Sequence, residues 1–411
     1  MHDRQGGHGG RVMTGERGAE LLRGGGGSHR ATFLELFLDV VFVFAFTRVS
    51  QRLITDVATG GERLPLELAQ TLFLLLALWM VWSLTAWATS HYDPEQPPIQ
   101  AVMIGSMFGS LVMAVSVPDA YGAHGLSFAA GYVAIQLGRS IYLTVALRRH
   151  FQRHLSSRIV VWSAVSAVPW LVGGLVGEDA RLLCWGVALA IDYLGLVIGW
   201  PVPRLGRASA TAWTVTGEHL AERYQQFTII ALGEMIFVAG VGFSGSDFTL
   251  LRWIALVDAF ATTVLLWRIY FHRAGSVLVE AVAEARQPAR LGRSATWTHL
   301  TMIAGIVTAA VGYEVAIAEP AGHADVVRVA AIVGGPALFV VGRARFEYEV
   351  FGRVSPSRVI GLLLLVLGVP LLSRLPLLGI AAGVTAVLTG MAVADALRAR
   401  GRAPERPASP M

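Results

Sequence analysis

Phe33-Leu-Glu35-Leu-Phe-Leu-Asp39-Val-Val-Phe-Val-Phe-Ala-Phe46 is an apolar helix pattern interrupted by two acids. Glu35 and Asp39 stand four apart, so they share one face of a helix. From Phe33 onward, apolar stretches near the roughly 20 residues that cross a bilayer recur almost without pause. They lie at about 33–52, 66–88, 99–117, 127–147, 159–176, 181–200, 220–242, 249–271, 296–318, 326–342, 358–373 and 375–397. The fold expected is all-α, a polytopic membrane protein of about twelve transmembrane helices.

Composition agrees. The chain is 54% hydrophobic and 15% charged, with a mean hydropathy of +0.58, and a surplus of that size needs lipid. All 33 basic residues are Arg, and against 28 acids they leave +5. That balance is too mild and too dispersed for a nucleic-acid partner. The single cysteine, Cys184, excludes a disulfide framework and a Cys-based zinc site. Residues 1–30 hold ten Gly and no apolar core, so they read as a disordered cytoplasmic tail instead of a signal peptide.

Arginine gives the orientation, because short loops retain it on the cytoplasmic side. Loops after even-numbered runs carry Arg148, Arg149, Arg153 and Arg158, then Arg204 and Arg207, then Arg273, Arg286, Arg290 and Arg293, then Arg343, Arg345 and Arg353. Both tails are also Arg-rich. The expected place is therefore a cytoplasmic (inner) membrane of a bacterium, with both termini inside. Loop 89–98 has no Arg and departs from the pattern.

The chain also resembles itself after six runs. Leu34 to Asp39 answers Ala221 to Gln226 at an offset of 187, and Trp79 to Trp82 answers Trp267 to Tyr270. Ala114 to Pro118 answers Ala316 to Pro320, and Gly138 to Tyr142 answers Gly335 to Phe339. Six helices per unit imply two parallel repeats about an axis along the membrane normal. The division expected is a tail over 1–30, repeats over 31–200 and 201–397, and a basic tail over 398–411.

Ionisable residues inside the spans carry the functional argument, since each costs at least about 2.5–3.5 kcal/mol at the bilayer centre unless paired or watered. Asp39, Asp192, Glu234, Asp258 and Glu314 meet only Arg48 and Arg139. The excess carboxylates must carry a proton, line a wet cavity or hold a cation. By helical rise, Arg139 and Asp192 come to one depth, as do Arg48 and Glu314, so each couple is expected as a structural ion pair. Glu234 and Asp258 share a depth with no base of their own. Glu35, Asp39, Glu222 and Gln226 would face each other across the repeat axis. With Glu234 and Asp258 they make the expected ion- or proton-binding set. The competing role for Glu35 and Glu222 is capping of their helix N-termini.

Other motifs are weaker. Gly242-Phe-Ser244-Gly245 matches a serine-protease string without a His at matching depth, and His150 with His154 reads as a solvated basic edge. The glycine pairs Gly105/Gly109 and Gly195/Gly199 read as close helix contacts. Trp79, Trp82, Trp87, Trp185 and Trp200 read as interfacial anchors. No phosphate loop, dinucleotide fingerprint or zinc-protease motif is present, so no cofactor, metal or enzymatic activity is expected.

Glu35-Leu-Phe-Leu-Asp39-Val-Val-Phe-Val-Phe-Ala-Phe46 resembles the opening of the bacterial low temperature requirement protein A family. Ala114-Val-Ser-Val-Pro-Asp-Ala120, Ala188 to Tyr193, Gly217-Glu-His-Leu-Ala-Glu-Arg-Tyr224, Ile229 to Glu234, His299 to Glu314 and Gly334 to Leu338 extend the resemblance from about residue 30 to 390. It implies a multipass bacterial membrane protein and no established chemistry. Phe37-Leu-Asp39 is also similar to the Phe-Ser-Asp first-helix signature of two-repeat potassium channels, with Leu38 in place of Ser. Tyr224 and Gln226 stand in the second copy where those channels have Phe and Asp.

The function expected is movement of a small cation or proton, or of a solute coupled to one, through a polar site between the first and seventh spans. The alternative is a non-transporting membrane-maintenance or stress-adaptation protein whose buried charges hold the fold. An intramembrane hydrolase trails both. The partners expected are the bilayer and a cation or proton, and a homo-oligomer is compatible with either function.

Overall fold

The computed structural model describes residues 21–22, 31–148, 153–208, 217–272, 277–284, 288–401 and 406–408. Among them the chain is all-α, with thirteen helices and only two isolated bridges of extended backbone. The first six are α1 (Phe33–Thr59), α2 (Leu64–His91), α3 (Pro97–Ser116), α4 (Gly125–Ala146), α5 (Arg153–Leu175) and α6 (Glu178–Ile198). The rest are α7 (Gly217–Ser244), α8 (Leu250–Phe271), the short α9 (Leu278–Glu284), α10 (Pro288–Ala318), α11 (Val326–Phe351), α12 (Pro356–Leu372) and α13 (Leu377–Ala399).

Each of the twelve apolar runs falls on one of these helices. Nine helices among the described residues are long and apolar enough to cross a membrane. α12 has only 17 residues. α1 carries Glu35, Asp39, Arg48, Arg52 and Asp56 within its 27 residues, and α4 carries Gln136 and Arg139. Apolar length alone therefore does not account for these three helices.

α1 starts where it does because Thr32 caps it. The Thr32 hydroxyl accepts from the Glu35 amide at 3.3 Å, and Glu35 Oε2 accepts from the Thr32 amide at 2.9 Å. This reciprocal box satisfies two amides that a helix start leaves open, and it fixes Glu35 in the first turn. The capping expected of Glu35 is therefore present.

α1 packs on α2 and α3, α2 also on α3, α4 and α6, and α3 to α6 pack in series. α7 packs on α8 and α10, α8 also on α10, α11 and α13, and α10 to α13 pack in series. α1 meets α7 and α10, and α2 meets α7, where the halves join. α10 and α11 meet backbone to backbone. A Cβ on Gly335 would stand 2.3 Å from the Ala309 amide nitrogen, and one on Gly305 2.5 Å from that of Phe339. Of the glycine pairs read from sequence, Gly109 meets Ile135 on α4 in this way, whereas Gly105 faces open space. Gly199 is instead the left-handed end of α6, at φ 79°.

Most of the expected 1–30 tail lies outside the described residues. Leu21, which is described, is buried with Tyr92, Ile99, Leu143 and Leu147, and its carbonyl accepts from the Asp93 amide at 3.0 Å. The loop that lacks arginine is thus held against Leu21. Burial pushes the Tyr92 phenol up to about 12, so it stays neutral there.

Candidate functional site

Glu35 and Asp39 on α1 look across at His219 and Arg223, one turn apart on α7. Arg223 Nη2 is 2.7 Å from Asp39 Oδ1, and its Nε is 3.9 Å from Glu35 Oε1. His219 Nε2 is 3.3 Å from Glu35 Oε2, and its Nδ1 is 2.9 Å from Ser90 Oγ. The Trp82 indole donates to Asp39 Oδ1 at 2.9 Å. Glu35, Asp39 and Arg223 are each 0% exposed. Such a cluster is stable only as a whole, because removing one partner strands a buried charge.

Sequence reasoning found the two acids and missed both bases. The signal was available: His219 and Arg223 repeat the four-residue spacing of Glu35 and Asp39. Glu222 and Gln226 lie on the neighbouring stripe of α7 and do not face the acids. Gln226 donates to Glu222 Oε1 at 2.9 Å, and the Ala31 amide reaches the same oxygen at 3.4 Å. Glu222, the sixth residue of α7, therefore receives the amide that precedes α1.

Beyond this charged layer lies an aromatic one. Phe42 and Phe46 of α1, Phe227 of α7 and Trp79 and Trp82 of α2 are all buried. The Trp82 ring stacks on Phe227 with centroids 3.9 Å apart, and Trp79 stacks on Trp82 at 5.0 Å. The anchoring expected of Trp79, Trp82, Trp87, Trp185 and Trp200 is thus overturned, since none is more than 6% exposed. Their rings fill the core, and the indole N–H groups of Trp82 and Trp185 find buried acceptors in Asp39 and the Trp170 carbonyl. Among the described residues, Trp253, Trp267 and Trp297 are the exposed ones.

Glu234 lies past the aromatic layer, buried on α7. Its Oε2 is hydrogen-bonded to Thr47 Oγ1 at 2.6 Å, while Oε1 is buried with no closer bond than the neighbouring Ser50 hydroxyl. No base lies within ion-pair distance of it among the described residues. Thr47 is eight residues beyond Asp39, about 12 Å along α1. The α1–α7 interface therefore has a paired charged layer, an aromatic layer and an unpaired carboxylate, in that order. Asp258 does not join them. It is half-buried on α8 beside Thr385, where Thr262 meets the hydroxyls of Tyr313 and Thr385 at 2.7 Å each.

Neither expected ion pair forms among the described residues. Arg139 donates to Thr85 Oγ1 at 2.8 Å and to Gln136, while Asp192 accepts from the Tyr132 hydroxyl at 2.8 Å and the Trp170 indole at 3.2 Å. Tyr132, Gln136 and Arg139 lie along one stripe of α4, with Gln136 Nε2 3.4 Å from the Tyr132 hydroxyl. Two neutral side chains thus stand between the charges, and equal depth did not mean contact. Arg48 binds Gln51 Oε1 at 2.6 Å, and Glu314 lies against Gly242 with no ion pair.

A second buried ion cluster went unread in the sequence. Arg358 Nη2 is 2.6 Å from Asp395 Oδ2, and Glu347 Oε2 is 3.6 Å from both Arg343 and Arg358. Arg343 Nε donates to the Ile269 carbonyl at 2.9 Å and its Nη2 to that of His272 at 2.5 Å, closing the end of α8. Arg343 reads as a cytoplasmic loop arginine because the apolar run ends at 342, but α11 continues to Phe351, and Arg358 is the first residue of the run at 358–373.

Among the described residues no three His, Cys, Asp or Glu side chains converge as metal ligands. His150 lies outside them, and His154 is exposed. Ser244 ends α7, where its hydroxyl donates to the Val241 carbonyl at 2.9 Å.

The model for the bacterial low temperature requirement A protein (LtrA) matches residues 30–393. An uncharacterized protein of Rhizobium meliloti (strain 1021) is 35% identical over 341 residues, which cover 82% of this chain and 81% of that one. No solved structure matches. On a match spanning nearly the whole chain and a relative similar across most of both sequences, the chain belongs to the bacterial low temperature requirement A protein family.

Proposed function

We propose that the protein is a two-repeat, twelve-span protein of the bacterial inner membrane that moves a proton or small cation, or a solute coupled to one, between α1 and α7. The observation that carries this reading is Glu234: a buried carboxylate with only the hydroxyls of Thr47 and Ser50 beside it and no base. Such a group persists in a low-dielectric interior only with a proton or a bound cation on it. It is the ion-carrying residue in this reading. The aromatic layer of Phe42, Phe46, Phe227 and Trp82 is the barrier, and Glu35, Asp39, His219 and Arg223 form the acceptor on the other side. Asp258, with its hydroxyl neighbours, is a second proton or cation site in the outer half.

The repeat is supported by packing. Pairing α1 to α6 with α7, α8 and α10 to α13 in order, each neighbour pair of the first half recurs in the second. α9 is then an insertion of the second half. The arginines of the even-numbered loops and tails support cytoplasmic termini. No chemical transformation is proposed, and the bilayer is the one partner the reading requires.

A second reading, a non-transporting membrane-maintenance protein, is favoured by one observation: Glu35 and Asp39 are already paired with His219 and Arg223 under a closed aromatic layer. Reconstitution separates the two. Proteoliposomes driven by a pH, potassium or sodium gradient should show flux above empty liposomes in the first case and none in the second.

A further inference from the structure

A pocket of about 410 Å³ opens beside the later turns of α1, with α2 and the start of α6 as its other walls. Part of its lining is already satisfied. Arg52 donates to Gln70 Oε1 at 2.6 Å and to the Pro118 carbonyl at 3.1 Å, and it lies 3.8 Å from Asp56. Gln70 donates onward to Glu178 at 2.9 Å, and Thr71 donates to Asp56 at 3.0 Å. These bonds tie α1, α2 and α6 into a fixed frame.

Two charged lining residues stand outside that frame. Arg48 has a neutral partner in Gln51 and no carboxylate within ion-pair distance among the described residues, and its Nε is buried without a hydrogen bond. Glu67, on α2, has no base within that distance among the described residues, and its Oε2 is likewise buried and unpartnered. Counted by buried atoms without a hydrogen bond, one cation and one anion line the cavity; Glu178, whose partner Gln70 is neutral, is exposed.

We infer that this pocket binds a small zwitterion, its carboxylate on Arg48 and its ammonium on Glu67. A simple anion would satisfy Arg48 and leave Glu67 bare, and a simple cation would do the reverse. A ligand with both charges compensates both, and it enters without adding net charge to the site. The volume lies at the lower end of the range for small-molecule pockets. Arg48, which lines the pocket, follows Thr47, the residue that holds Glu234, so the pocket starts within one turn of α1 from the hydroxyl partner of the proposed ion carrier. The role of the zwitterion as the coupled solute rests on the transport reading; its binding does not.

Binding is measured by isothermal titration of the full-length protein in nanodiscs. The probes are glycine and γ-aminobutyrate, with acetate and methylammonium as the two separate halves. At least one zwitterion should bind, both halves should bind at least about tenfold more weakly, and Arg48→Gln and Glu67→Gln should each weaken the zwitterion at least about tenfold, or 1.4 kcal/mol. Melting temperatures check that the variants fold, and Arg48→Lys, which keeps the charge, should retain binding within that factor. The inference is overturned if neither zwitterion binds, if acetate or methylammonium binds as tightly, or if binding survives both neutral substitutions. Binding without flux in liposomes overturns the transport reading alone. Flux without zwitterion binding overturns this inference alone.

Discussion

The Thr47 hydroxyl and the Glu234 carboxyl are hydrogen-bonded at 2.6 Å, and 187 residues separate the two. That is the offset at which Leu34 to Asp39 resembles Ala221 to Gln226. In the proposed repeat, Thr47 and Glu234 therefore hold the same position, and a residue that touches its own counterpart lies on the axis relating the halves. The pair can be tested by exchange. Thr47→Glu combined with Glu234→Thr keeps one carboxylate and one hydroxyl on the axis and should melt within a few degrees of wild type. Thr47→Glu alone places two unpaired carboxylates there and should lose at least about 2.5–3.5 kcal/mol. Equal melting of the single and exchanged variants would contradict the axial placement.

Arg223 is the only guanidinium between Glu35 and Asp39 among the described residues. Arg223→Gln should destabilise the protein by about 3–5 kcal/mol, because it strands buried carboxylates. Adding Asp39→Asn should recover part of that loss, giving a coupling of at least about 1 kcal/mol in a double-mutant cycle followed by thermal or denaturant unfolding. Additive losses would show that the 2.7 Å contact carries no energy.

Arg139 and Asp192 should behave in the opposite way. With Gln136 and Tyr132 between them, the cycle of Arg139→Gln and Asp192→Asn should show a coupling below about 0.5 kcal/mol. Tyr132→Phe removes a donor from Asp192 and should cost about 1–3 kcal/mol. A strong direct coupling with a silent Tyr132→Phe would restore the ion pair expected from sequence.

Gly335 allows α11 to approach α10 to within contact of the Ala309 backbone. A Cβ there meets main chain, which cannot rotate away, so Gly335→Ala should cost about 1–3 kcal/mol. Gly334→Ala, one residue away, meets no atom within 4 Å and should leave the melting temperature near that of wild type. Equal effects at both positions would contradict the packing.

The helices were legible because apolar runs of membrane length are an almost local signal. Even the start of α1 is legible in Thr32 and Glu35. The site was legible only by half. An acid inside an apolar run stands out, so Glu35, Asp39 and Glu234 are legible, but Arg223 and Arg358 sit within a few residues of where an apolar run begins, and nothing local marks them as buried. Helical rise gave depth without rotation, which is why Arg139 and Asp192 were matched although Tyr132 and Gln136 separate them. Tryptophan was misread for a similar reason. Its amphipathic ring suits both a lipid interface and a buried acceptor, and only the fold reveals that Asp39 waits for Trp82.

Glu234 decides the functional account. Wild type and Glu234→Gln, reconstituted at equal density and with their melting temperatures measured in parallel, should be compared for flux driven by pH, potassium and sodium gradients. The account predicts wild-type flux above empty liposomes for at least one of these ions, and a variant that is as stable as wild type or more so, because the amide needs neither proton nor cation, yet carries no flux. Wild-type liposomes no leakier than empty ones, or a Glu234→Gln protein that conducts as well as wild type, would contradict it.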